Sequence, residues 1–270
     1  MKVHVVQFDI AWEEPDRNFE AVLQLLDRAE VSRGDLIVLP EMFDTGFSFN
    51  VDRTNDKAGR TLGFLCELAD DIGVTVQGGR TIAACGRCAA KNVMSVAAPG
   101  NKVLAEYVKI HPFQREAERF EGGHELVLYE WNQLQVCPAI CYDLRFPELF
   151  RLGLMKGAQA FAIGACWPSV RAHHWRALLI ARAIENQAFV FAANRTGSDP
   201  MLKYAGGSMV IGPRGEVLGE LKEESAVLSV AIDPGDLQAW RGAFGAWKDA
   251  RLLNRVMVGA QQSTTADGAA

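Results

Sequence analysis

Leu134–Cys166, LQVCPAICYDLRFPELFRLGLMKGAQAFAIGAC, decides the fold. Its first eight residues form an apolar run with strand character, and its last nine, AQAFAIGAC, form a second. Between them, Leu144 to Lys156 has the spacing of a helix. Strand, helix and strand in this order favour an α/β fold whose sheets are covered by helices.

Outward from this segment the alternation continues. VHVVQF reads as a strand, Asn18 to Ala29 as an amphipathic helix, and DLIVLPE as a buried strand. Leu62 to Ile72 reads as a helix stopped by Gly73, followed by the strand TVQGGRTI. NVMSVAAP and KVLAEYVKI flank Gly100-Asn101 as a hairpin. LVLYEW precedes the opening segment. A long helix is expected from Ser169 to Asn186, then the strands AFVFAAN, GGSMVIGP, GEVLGEL and AVLSVAID, with a turn at Pro213-Arg214-Gly215 and a short helix after Asp233-Pro234. About a dozen strands and four or five helices, with no low-complexity linker, point to one α/β domain over residues 1–260. The small polar tail 261–270 is expected to be disordered.

Composition narrows the function. Hydrophobic residues are 49%, charged residues 23%, and the formal net charge is −5. With no Lys/Arg-rich run, a nucleic-acid surface is not expected. No apolar run reaches the roughly 18 residues of a membrane span, and the opening MKVHVVQFDI breaks at Asp9, so a cytoplasmic protein is expected. The six cysteines lack a disulfide-framework spacing and read as reduced thiols. Cys85-Gly-Arg-Cys88 has no second C-x-x-C and reads as a turn rather than a metal or redox site. His173 and His174 are adjacent, are expected on different helix faces, and do not form a ligand pair. No metal or cofactor is expected.

Three strand ends carry reactive groups: Glu41 in Leu39-Pro-Glu-Met-Phe43, Lys109 in Tyr107-Val-Lys-Ile-His-Pro-Phe113, and Cys141 in Pro138-Ala-Ile-Cys-Tyr-Asp-Leu-Arg-Phe-Pro147. Taken singly, each has an ordinary structural reading: a helix-start carboxylate, an edge lysine, a buried core thiol. Their joint occurrence in this order reverses that reading. L-P-E-M-F, K-I-H-P-F and C-Y-D-L-R-F-P-E resemble the signature blocks of the nitrilase, or carbon–nitrogen hydrolase, superfamily, and most of all its omega-amidase branch. The likeness runs from Lys2 to about Trp247.

The resemblance implies a four-layer α-β-β-α sandwich, dimerised through helices near the nucleophile or assembled further. It also implies Glu41 as general base, Lys109 as catalytic lysine and Cys141 as nucleophile. A second glutamate, expected seven residues before a glycine, falls at Glu116 when counted from Gly123, with Glu118 as the neighbouring alternative.

An amide is a poor electrophile with a poor leaving group. Glu41 can take the thiol proton and hand it to the amine, leaving a thioester that water hydrolyses. Lys109 and the backbone N–H of Tyr142 would stabilise the oxyanion. Glu116 would orient Lys109 or the water. Cys166 is a rival nucleophile without the C-Y-D-L-R context.

Candidates for reading the substrate are Phe47, Trp167, Arg145 and, in the loop Asn194 to Tyr204, Arg195, Lys203 and Tyr204. Arg145 is expected to pair with Asp143 or a nearby acid. The substrate expected is a small carboxylate-bearing amide such as 2-oxoglutaramate. A nitrile, an N-carbamoyl amine or deaminated glutathione are alternatives within the superfamily, and a catalytically silent scaffold is the alternative outside enzymology.

Overall fold

The computed structural model describes residues 1–83 and 89–251. The Cys85–Cys88 turn and the tail at 261–270 lie outside the described residues. In chain order the first half contains β1 (Lys2–Gln7), α1 (Pro15–Asp27), β2 (Leu36–Val38), the single turn α2 (Val51–Thr54), α3 (Arg60–Ile72), β3 (Thr75–Ile82), β4 (Lys91–Ala98) and β5 (Lys102–Val108). The second half contains β6 (Tyr129–Trp131), β7 (Leu134–Ile140), α4 (Pro147–Met155), β8 (Ala160–Ala165), α5 (Ala172–Asn186), β9 (Phe189–Asn194), β10 (Thr196–Ser198), β11 (Lys203–Ala205), β12 (Met209–Ile211), β13 (Val217–Glu220), β14 (Ala226–Ala231) and α6 (Pro234–Ala243).

Two six-stranded sheets result, ordered β14-β1-β2-β3-β4-β5 and β13-β12-β9-β8-β7-β6. In each sheet three consecutive strands are parallel, β1-β2-β3 and β7-β8-β9, and antiparallel strands close both edges. The two-residue period of a strand divides the core. Val3 and Val5 of β1, Ala160 and Ala162 of β8, and Phe189 and Phe191 of β9 meet between the sheets. Their alternates face helices: Val6 packs in the layer that includes Phe19, Val22 and Leu65, and Phe161, Ile163 and Val190 pack in the layer that includes Phe150, Trp175 and Leu179. The layers run helix, sheet, sheet, helix, as expected.

A polar tie crosses the middle. Gln77 on β3 donates to the Ala162 carbonyl at 3.0 Å and accepts from the Tyr129 hydroxyl at 3.0 Å. Among the described residues no helix is long and apolar enough to cross a membrane.

Several boundaries differ from the sequence reading, each for a local reason. The helix expected over Leu144 to Lys156 starts at Pro147, and Cys141–Arg145 form a separate 3-10 turn. Proline is favoured in the first turn of a helix and disfavours the helical conformation in the residue before it, so it breaks the run there. Ser169–Arg171 is likewise a 3-10 turn ahead of α5. β2 ends at Val38, before Pro40, and β6 covers only the last three residues of LVLYEW. The segment read as an irregular loop, 194 to 204, contains the small hairpin β10-β11. His173 and His174 have ring centroids 4.1 Å apart, so they are not directed to opposite faces of α5. Even so, no group of three possible metal ligands occurs among the described residues.

What positions the site is the close approach of two strands to the turn after β2. A Cβ on Gly79 of β3 would lie 2.5 Å from the Met42 nitrogen and 2.8 Å from the Glu41 Cα. A Cβ on Gly164 of β8 would lie 2.8 Å from the Leu39 carbonyl oxygen and 3.0 Å from the Glu41 nitrogen. Two glycines, one in each sheet, therefore clasp the backbone of the Glu41 turn. Gly79→Ala should cost on the order of 1–3 kcal/mol, the usual cost of overpacking. Urea unfolding would show a lower midpoint with an unchanged slope, and an unchanged midpoint would contradict so tight a clasp.

Candidate active site

Glu41, Lys109, Cys141 and Glu116 meet at one end of the two sheets. Glu41 follows the parallel strand β2 and Cys141 follows the parallel strand β7. β5 is antiparallel to β4, which is antiparallel to β3, so Lys109 also emerges at that end. Three distant stretches of chain thus converge because their strands share a direction.

The ammonium of Lys109 donates to Glu41 Oε1 at 2.7 Å and to Glu116 Oε2 at 2.8 Å. All three side chains are at most 1% exposed. Burial alone would push the ammonium toward neutrality, but the charges of Glu41 and then Glu116 hold its pKa well above the ordinary lysine value. Glu116 also accepts from the Phe113 backbone N–H at 2.6 Å, whereas Glu118 is exposed and faces Arg115. Geometry therefore places the first alternative beside Lys109 and the second in solvent. The lysine backbone is fixed at both atoms: its N–H donates to the Asn92 carbonyl at 2.9 Å, and its carbonyl accepts from Gly123 at 2.8 Å.

Cys141 has φ +44° and Met42, next to Glu41, has φ +43°. Left-handed backbone at a non-glycine residue costs of order 1–3 kcal/mol and persists only where the surroundings enforce it. Here the enforcing group is Asp143. Its buried carboxylate accepts from the Ile140 N–H at 3.1 Å and the Tyr107 hydroxyl at 2.7 Å. It also accepts from the His111 backbone N–H at 3.0 Å and lies 2.8 Å from His111 Nδ1. The nucleophile turn is thereby tied to the lysine strand. The expected Arg145–Asp143 pair does not form, because Asp143 is already filled by these inward donors. Arg145 instead lies over the Trp167 ring, 4.7 Å from its centroid, with His174 at 3.3 Å.

Cys141 is buried, with 8% of the residue exposed. Burial first, and then the charge of Glu41, push its pKa well above that of a free thiol, against a smaller opposing pull from Lys109. The resting sulfur is therefore protonated and beside a carboxylate. Cys166 is a second buried thiol whose backbone N–H donates to Glu41 Oε2 at 2.9 Å and whose Sγ lies 3.2 Å from the Glu41 carbonyl. Its burial and Glu41 push it up in the same way.

A small cleft opens on Cys141. Phe47, Arg145 and Trp167 line it as the sequence suggested, and Phe113, Arg171 and Leu202 line it without having been singled out. Phe47 places its ring 5.2 Å from the Lys109 ammonium, and Arg171 lies 5.4 Å above the Phe113 ring. Trp167 is held by Asn194, which accepts from its backbone N–H at 2.7 Å and donates to its carbonyl at 3.1 Å.

Three other candidates are not brought to this cleft. Arg195 is fully buried and bonded to Asp9 at 2.8 Å and to backbone carbonyls of Ile10, Thr196 and Ser198. The Tyr204 hydroxyl donates to Asp199, and Lys203 is exposed. Lys203 and Tyr204 line a separate depression with Asp9 and Glu223. The hairpin β10-β11 turns this segment back on itself, which a reading of polar loop residues could not show. Arg171 did have a signal: it stands four residues beyond Trp167, past the end of a parallel strand, where α/β sites gather.

Comparison with known proteins gives the family. The family model described as "Carbon-nitrogen hydrolase" matches residues 2–242. The chain is 36% identical over 253 residues to a 2-oxoglutaramate amidase of Bacillus subtilis, covering 92% of this chain and 97% of that one. It is 32% identical over 254 residues to the omega-amidase YafV of Escherichia coli K12, covering 93% and 96%. Among solved structures it superposes, with a TM-score of 0.86 at 32% identity and coverage of 93% and 97%, on XC1258 of Xanthomonas campestris, a CN-hydrolase superfamily protein with an arsenic adduct in its active site. The family match over residues 2–242 and the likeness to these relatives along nearly the whole chain lead to one assignment: this chain belongs to the carbon–nitrogen hydrolase family.

Proposed function

We propose that the protein is an omega-amidase that hydrolyses a small amide bearing a carboxylate, of the 2-oxoglutaramate type, through a thioester on Cys141. One observation carries the substrate class. Among the residues lining the cleft, the fixed charges are two arginines, Arg145 and Arg171, and no carboxylate side chain lines it. A cleft with cationic side chains and aromatic walls at Phe47, Phe113 and Trp167 suits a short chain with an anionic end. The names of the amidases from Bacillus subtilis and Escherichia coli support the same class.

In this mechanism Glu41 accepts the Cys141 proton as sulfur attacks the amide carbon, so a free thiolate need not accumulate. The oxyanion meets Lys109, whose ammonium has three N–H donors and gives only two of them to Glu41 and Glu116. The second donor is the backbone N–H of Tyr142, in the opening of the 3-10 turn. Collapse breaks the C–N bond, and the proton on Glu41 passes to the leaving nitrogen, which departs as ammonia. Water enters, Glu41 takes its proton, and the C–S bond breaks to return that proton to sulfur. Glu116 holds Lys109 in register throughout. The apolar side chains Leu152, Met155 and Ile184 remain exposed on α4 and α5, and we propose that a homodimer covers them.

Purified protein should release ammonia from 2-oxoglutaramate, and Cys141→Ala should lower the rate by about 10⁴-fold or more. Cys166→Ala should leave most of it, and the reverse pattern would move the nucleophile to Cys166.

Both Cys141 and Lys109 have raised pKa values, so each keeps its proton to higher pH than a free side chain. The kcat/KM profile should accordingly stay level through about pH 8.5, where an unperturbed thiol ionises. An inflection at that pH would mean that a pre-formed thiolate attacks.

Arg171→Met should raise KM for the carboxylate substrate by about 10- to 100-fold, the range expected for a hydrogen bond to a charged group. A neutral amide of the same length should be unaffected. Equal losses on both substrates would remove the arginine from carboxylate recognition.

A further inference from the structure

Two glutamates share one lysine in the buried interior, and a side chain outside the three signature blocks meets both carboxylates. Asn92, near the start of β4, donates from one amide nitrogen to Glu41 Oε1 at 2.8 Å and to Glu116 Oε1 at 2.9 Å. Its own backbone carbonyl accepts the Lys109 N–H at 2.9 Å. One residue therefore touches all three charged partners.

Its orientation is not in doubt chemically. Ionised carboxylates only accept, so the amide must turn its NH2 toward them, which leaves Oδ1 facing elsewhere. That oxygen is buried with no partner among the described residues. Buried side-chain acceptors are normally satisfied, and the strand neighbours that share the Asn92 side of β4, Met94 and Val96, are apolar and buried. A residue chosen for sheet stability alone would be apolar here.

We infer that Asn92 is a positioning residue for catalysis: a neutral double donor that spaces Glu41 and Glu116 on either side of Lys109. It acts through Glu41 and does not reach the substrate. The inference rests on the roles proposed above for Glu41 and Cys141. Its logic is electrostatic. Lys109 can compensate one carboxylate charge, and the second is carried by dipoles: the Asn92 amide, the Cys166 N–H on Glu41 and the Phe113 N–H on Glu116. The Asn92 amide is the dipole shared by both, so its loss acts on the pair.

Two variants test this. Asn92→Asp keeps the size but replaces the shared donor with a third acid facing Glu41 and Glu116, the two partners of Lys109. Asn92→Ser removes both bonds without adding charge. The readouts are kcat and KM for ammonia release, and the pH dependence of Cys141 alkylation by iodoacetamide followed by peptide mass analysis. Alkylation needs no amide turnover, so it remains decisive even if the substrate assignment fails.

For Asn92→Asp, kcat should fall about 10- to 100-fold with KM changed less than about threefold. Its Cys141 alkylation profile should move to higher pH by about one unit or more, because added negative charge holds the thiol proton. Asn92→Ser should lower kcat in the same way with a smaller displacement. Both variants keeping kcat and the alkylation profile within about twofold of the parent would overturn the inference. So would a loss of thermal stability in which the folded fraction retains the parent's alkylation profile, since that is the mark of a purely structural residue.

Discussion

Two carboxylates sharing one ammonium in the buried interior is the arrangement on which the rest of the molecule depends. Such a cluster is expensive to bury and gains little stability over apolar packing. It persists because every oxygen is met by a donor: Lys109, Asn92 and the Cys166 N–H for Glu41, and Lys109, Asn92 and the Phe113 N–H for Glu116. Those donors arrive from β4, the end of β5, the turn after it and the end of β8. The paired sheets act as a frame that brings four strand ends together, and glycines 79 and 164 allow the frame to close on the Glu41 turn.

The cluster also bears on the thiol proposed as nucleophile. A cysteine placed beside an exposed cation would ionise early and react with any electrophile. Here burial and then Glu41 push the Cys141 thiol up, which in the proposed mechanism keeps its proton on sulfur until an amide carbon is in place. The strained backbone at Cys141 directs the thiol to the cleft, and Asp143 maintains that strain through four contacts to Ile140, Tyr107 and His111.

The layers were legible in sequence because strand and helix periodicity is strong where cores are apolar, as in β1, β8 and β9. Glu41, Lys109 and Cys141 were legible as three short blocks, though nothing local joined them; their meeting depends on strand direction and sheet order. Asn92, Tyr107, His111 and Arg171 were not singled out, since each is an ordinary residue until a distant partner is placed against it. Arg195, Lys203 and Tyr204 show the opposite error. A polar, basic segment suggested recognition, yet Arg195 turns inward to Asp9 while Lys203 and Tyr204 flank another depression. The pairing expected for Arg145 failed for a similar reason: adjacency in sequence did not predict that Asp143 would be claimed from β5.

The central claim is that the acyl group passes through a thioester on Cys141 whose formation uses Glu41 as base. Rapid acid quench of the protein during turnover of 2-oxoglutaramate, followed by mass spectrometry of the digested peptides, reads this directly. The account predicts an acyl adduct on the peptide carrying Cys141, absent when Glu41 is replaced by Gln. An adduct on Cys166, or ammonia release at full rate with no covalent species at any quench time, would contradict it.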